Sequence, residues 1–173
     1  MTTWGVFEHS ETGDPQDIMY SIILLERWRG QVEFPELRDV VKEFNAIHHP
    51  NLILIEKRAS GAPLFQELKR ARLPVRAWLP SGARGAKSKV PRAYAAQVVF
   101  QQGAVWYMDR NWAPEVIAEA AAFPYGENDD FVDTITMATS FLRKMYWLDL
   151  KTDKLPEDDD EDFTEKKGRI GYG

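Results

Sequence analysis

The segment Phe123-Pro-Tyr-Gly-Glu-Asn-Asp-Asp-Phe-Val-Asp133 is a turn that delivers three carboxylates, Asp129, Asp130 and Asp133, onto the start of an apolar-periodic stretch. Carboxylates grouped this closely repel one another, so something must offset the repulsion. Glu56 closes the apolar run Leu52-Ile-Leu-Ile55. Acids at a strand exit and at a helix start form an oxygen-ligand set that suits divalent metal and, through it, phosphodiester cleavage. Each acid also has a plain structural reading. Glu56 alone fits a solvated strand end, and one Asp alone fits a helix N-cap favoured by the helix dipole. Three acids within five positions weaken the cap explanation. Asp130 and Asp133 share a face at i, i+3 and Asp129 and Asp133 at i, i+4, which leaves the choice of metal ligand open.

Any metal here is bound by oxygen. The chain has no cysteine, and its three histidines, His9, His48 and His49, offer no zinc spacing. A second chemical feature is the basic stretch from Lys57 to Arg92, with ten basic residues against one acid, Glu67. Lys69, Arg70 and Arg72 fit an ordinary solvated helix face. The glycine-spaced cations of residues 82–89 suit an irregular phosphate backbone better, so Arg84, Lys87, Lys89 and Arg92, with Lys57 and Arg58, are the expected DNA contacts. The run does not satisfy the nucleotide-binding pattern Gly-x-x-x-x-Gly-Lys-Ser/Thr, so no ATPase motor is expected. The chain's net charge of −5 disguises this basic surface. From Asp153 to Glu165 eight acids face one base, and taking that segment's −7 from the total leaves +2 for everything else.

The elements that must position these residues follow from periodicity and turn chemistry. Thr2 to Phe7 and Ile18 to Trp28 read as strands of a hairpin joined by a polar loop. Phe34 to Ile47 has helical spacing and is stopped by His48-His-Pro50. Asn51 to Ile55 reads as a strand buried on both faces, with Glu56 at its exit, where open α/β sheets place their sites. A helix from Ser60-Gly-Ala-Pro63 to about Ala71 and a strand from Val75 to Leu79 complete a crossover that favours parallel pairing. A helix over Pro91 to Phe100, an extended piece at Val105 to Met108, and helices over Trp112 to Phe123 and Asp129 to about Trp147 follow. The fold class is α/β, a mixed sheet flanked by helices. The 173 residues divide into one domain over 1–150 and an acidic tail over 151–173 expected to be disordered. With no apolar run long enough to cross a bilayer and no signal-peptide pattern, the expectation is a soluble intracellular protein without membrane partners.

Several pieces, in order, resemble the C-terminal nuclease domain of phage large terminase subunits. They are Arg29-Gly-Gln-Val-Glu-Phe-Pro-Glu-Leu37, Leu54-Ile-Glu-Lys-Arg-Ala-Ser-Gly61 with Gln66-Glu-Leu68, Lys89-Val-Pro-Arg-Ala93, Gly103-Ala-Val-Trp106 and the acidic turn Phe123 to Asp133. The resemblance implies a ribonuclease H-like fold, two Mg²⁺ or Mn²⁺ ions, and endonucleolytic cutting of concatemeric double-stranded DNA in the cytoplasm of a bacterial host. It also implies a terminase ATPase domain, a small terminase subunit and a portal as partners. Carried over by position, Glu56 matches the second catalytic acid and Asp129-Asp130 the third, with Asp130 favoured as the direct ligand and Asp133 as a neighbouring acid. The family's first catalytic Asp, on a strand preceding the segment matched by Thr2 to Phe7, has no counterpart here. On this resemblance the chain is a fragment, a split gene product or a prophage remnant, and the alternative function is an inert module that binds DNA or a terminase partner. The absent strand would belong between the hairpin and the Asn51 to Ile55 strand. Its loss requires either that the hairpin shift to close the gap or that another polypeptide fill it.

Overall fold

The computed structural model describes residues 1–57, 61–79 and 86–154, with the side chains of 86–88 and 154 excepted. Arg58 and Arg84, the Lys87 side chain and residues 155–173 of the expected tail lie outside the described residues. The chain is a mixed α/β fold, and its described strands form two small sheets instead of one. Strands β1 (Thr2–His9) and β2 (Met19–Arg27) pair antiparallel, as the hairpin pattern predicts, with Trp4 opposite Leu24 and Val6 opposite Ile22. Strand β3 (Ile53–Glu56) pairs parallel with β4 (Val75–Trp78), and β5 (Val105–Tyr107) adds parallel to the far side of β2. The orders are β1-β2-β5 and β3-β4. Among the described residues the hairpin has therefore not shifted onto β3.

Helix α1 (Phe34–His48) opens on a capping box between Glu33 and Glu36 and ends at His49 in the left-handed region, consistent with the expected stop. Helix α2 (Gly61–Arg70) begins against the end of β3, where a Cβ on residue 61 would collide with the Glu56 carbonyl oxygen, so that close approach requires glycine. Val41, Ile55, Leu64 and Leu68 form the core between these helices and β3.

Helix α3 spans Ala86–Gln101 and opens five residues before the predicted start at Pro91, which lies inside it. Proline's missing N–H and fixed φ favour it at a helix opening. Here the extra turn is anchored from outside, through Lys89. Helix α4 (Ala113–Ala122) and the long α5 (Asp130–Lys144) follow. Phe131, Val132, Ile135, Ala138, Phe141 and Leu142 make α5 the most deeply buried helix. Its first half meets Leu24 and Val116, its second half Ile22, Val99 and Leu148. Residues Lys151–Lys154, within the expected tail, form a short 3₁₀ turn tied back by Arg143, whose guanidinium donates to Leu148 O at 2.8 Å and pairs with Asp153.

Ile22 is fully buried at the point where β2 meets the second half of α5. Ile22→Val should cost about 1 kcal/mol and Ile22→Ala about 3 kcal/mol of unfolding free energy, read from urea melts, because the cavity left cannot be refilled from a two-sided contact.

Candidate functional site

Helix α5 begins without a side-chain cap of its own, since the Asp129 side chain makes no capping bond. The orphan amide is met from α4: Phe131 N–H donates to Glu119 Oε1 at 2.6 Å, and Glu119 is a buried carboxylate. Its other oxygen accepts from the Arg29 guanidinium. That guanidinium also lies 4.1 Å over the Phe131 ring, reaches Glu115 at 3.1 Å and stands 3.8 Å from Asp130. Arg27 pairs with Glu115 at 2.7 Å. Burial works against the Arg29 charge, but its bond to Glu119 and the surrounding acids outweigh burial and raise its pKa. Neither Glu119 nor Arg29 stands out by periodicity. The available signal was a pair of acids at i, i+4 on α4, Glu115 and Glu119, matched by two arginines at the exit of β2.

Asp129 and Asp133 face the other way and share one cation. Lys89, only 18% exposed, reaches Asp129 at 2.5 Å and Asp133 at 2.9 Å. Burial lowers the Lys89 pKa, yet the two carboxylates outweigh it and hold the ammonium above its ordinary value of 10.5. Lys89, expected among the phosphate contacts, is thus engaged with the acidic turn. Of the other expected DNA contacts, Lys57 is exposed with its ammonium 5.9 Å over the Phe65 ring, and Arg92 is half-buried.

Glu56 ends β3 and is half-buried. It shares a register position with Trp78, whose ring meets Phe141 of α5 at 6.3 Å. Strand alternation gives Glu56 the same face of β3 as Leu54, which packs against the cluster containing Phe141. Met1 links the two regions: its side chain packs against the cluster containing Ile55, and its amino group is buried within the field of Asp130. Among the described residues no three His, Asp or Glu side chains converge to hold a metal ion. Asp129 and Asp133 share the single ammonium of Lys89, and Asp130 stands 3.8 Å from Arg29, so a divalent ion at these acids would compete with protein cations. A neighbouring cavity of about 480 Å³, lined by residues such as Leu24, Phe100, Val116 and Ile135, has no acid in its wall. No family model matches the chain, and no curated protein or solved structure matches it.

Glu119→Ala leaves the α5 amide and Arg29 without their buried partner. It should cost about 3 kcal/mol in chemical unfolding, whereas the more exposed Glu115→Ala should cost under about 1 kcal/mol. For Lys89 the folded pKa is raised, so its stabilisation is complete below pH 10.5 and is lost as pH rises through the folded value. The stability advantage of the unmodified chain over Lys89→Met should hold at neutral pH and shrink on the alkaline side of that point, measured by urea melts across the alkaline range.

Proposed function

We propose that this chain carries the nuclease fold of a phage-type DNA-packaging terminase, a metal-dependent endonuclease domain acting on double-stranded DNA. The observation that carries the reading is that Glu56 ends β3 in register with Trp78, whose ring meets Phe141 of α5, the helix that the three acids begin. A ribonuclease H-like arrangement is further supported by an antiparallel hairpin and a parallel β3-β4 pair. Mg²⁺ or Mn²⁺, an ATPase domain, a small terminase subunit, a portal and a bacterial cytoplasm belong to the same reading.

The chain's own residues do the following in this reading. Glu119 and Arg29 fix where α5 begins and so where Asp129, Asp130 and Asp133 project. Lys89 holds two of those acids at one spacing, and Lys57 and Arg92 add positive charge that attracts phosphate without reading sequence. The three acids at the start of α5 already have protein cations beside them. That same observation favours the second reading, a module that binds DNA or a terminase partner without cutting it.

Incubating supercoiled plasmid with the chain and Mn²⁺ separates the two. Nicking that falls at least about 100-fold in Glu56→Ala and Asp130→Ala supports the nuclease, and full cutting by both variants refutes the site assignment. Retardation of DNA that weakens steeply with salt, with no nicking under any divalent cation, supports the binding module.

A further inference from the structure

Helices α3 and α4 both dock on α5, and residues of all three line the cavity of about 480 Å³ beside the acidic turn. Its floor is core, since Leu24 of β2, Val116 of α4 and Val132 and Ile135 of α5 line it and are buried. Its two helical walls present alanines to the space, Ala93 and Ala96 from α3 and Ala120 and Ala121 from α4. Larger side chains at such positions would close an ordinary helix-packing seam, so the void follows from the residues placed there. Tyr94, Phe100, Trp106 and Tyr107 also line the cavity yet remain exposed, which sets them at its mouth. Aromatic rings left in water around one opening are apolar surface that gains from being covered, and their faces stack on flat partners. Among the described residues no Lys, Arg, His, Asp or Glu contributes to the wall. An ion entering here would shed its water with no counter-charge in return, so the occupant is uncharged.

We propose that this cavity is a binding site for a neutral, mainly aromatic small molecule that carries one hydrogen-bonding group. Its rings stack against the aromatic side chains of the mouth, and its apolar body fills the space over Val116 and Ile135. Its polar group meets Tyr94 and Gln97, which lie one helical turn apart on α3, line the cavity and are exposed. Thr136, a polar residue of the buried floor, already donates its hydroxyl to Asp133 O at 3.0 Å. The volume falls within the roughly 300–1,000 Å³ of small-molecule sites, enough for about two or three rings. A folded protein partner fits less well, because the lining offers far less surface than the roughly 800 Å² per side of a stable protein interface. The site goes beyond the nuclease reading and uses none of the residues on which that reading rests.

The test titrates the full chain with N-phenyl-1-naphthylamine, a neutral fluorescent probe of linked aromatic rings with a single N–H. The probe should bind saturably, one per chain, and at about ten times its Kd should raise the Tm by about 3–6 °C. Its sulfonated analogue, anilinonaphthalenesulfonate, has the same rings with a negative charge and should bind at least about tenfold more weakly. Ala93→Phe and Ala121→Trp add bulk to the two helical walls, and each should weaken the neutral probe at least about tenfold while the Tm without probe stays within about 3 °C. Ala121 is exposed, so Ala121→Trp obstructs the site without altering the core. Absence of saturable binding, equal affinity for the sulfonate, or unchanged affinity in Ala121→Trp would overturn the proposal. So would sedimentation showing a dimer of the chain that excludes the probe, since a second copy would then cover the mouth.

Discussion

Carboxylates at three of five successive positions cannot begin a helix unless their mutual repulsion is offset, and the way this chain offsets it organises the whole molecule. Lys89 takes Asp129 and Asp133, and Arg29 stands against Asp130 while holding Glu119, which in turn caps the helix. The dipole at the start of α5 adds a favourable field for all three acids. Each counter-charge comes from a distant part of the chain, β2's exit or α3, so neutralising the acids also docks those elements on α5.

Because residues of both sheets pack against the cluster that α5 shares, its placement fixes more than the acidic turn. Its second half carries Phe141 against Trp78 and beneath Arg76, whose guanidinium lies 5.2 Å from the ring centroid, while Arg143 gathers in the 3₁₀ turn that follows. The acids are therefore held at the rim of a rigid scaffold, a favourable starting point for chemistry on phosphate. They are also already partnered, which sets the limit on what the chain does by itself: the same cations that let the acids coexist compete with any ion that would use them.

Most elements were legible in the sequence. The hairpin, the parallel β3-β4 crossover, the stop at His48-His-Pro50 and the last two helices follow from period, turn residues and length, all local signals. Two features were not. Helix α3 extends ahead of Pro91 because Lys89 is pinned by acids some forty positions later. The Arg29–Glu119 pair joins residues 90 positions apart, and no periodicity reports a contact of that range. The need to offset the acidic turn was evident from its residues, and sequence alone pointed to metal; the fold also brings Lys89 and Arg29 beside the same acids. The sequence reading joined Glu56 to those acids in one ligand set. Register with Trp78 gives it the α5 face without making it part of a three-acid group.

The coupling between Lys89 and Asp133 tests the central claim most directly. In a double-mutant cycle of Lys89→Ala and Asp133→Ala, read by urea unfolding at neutral pH and low salt, the account predicts a favourable coupling of about 1 kcal/mol or more. Additive effects, within about 0.3 kcal/mol, would show that the acidic turn does not depend on this cation and would contradict the account.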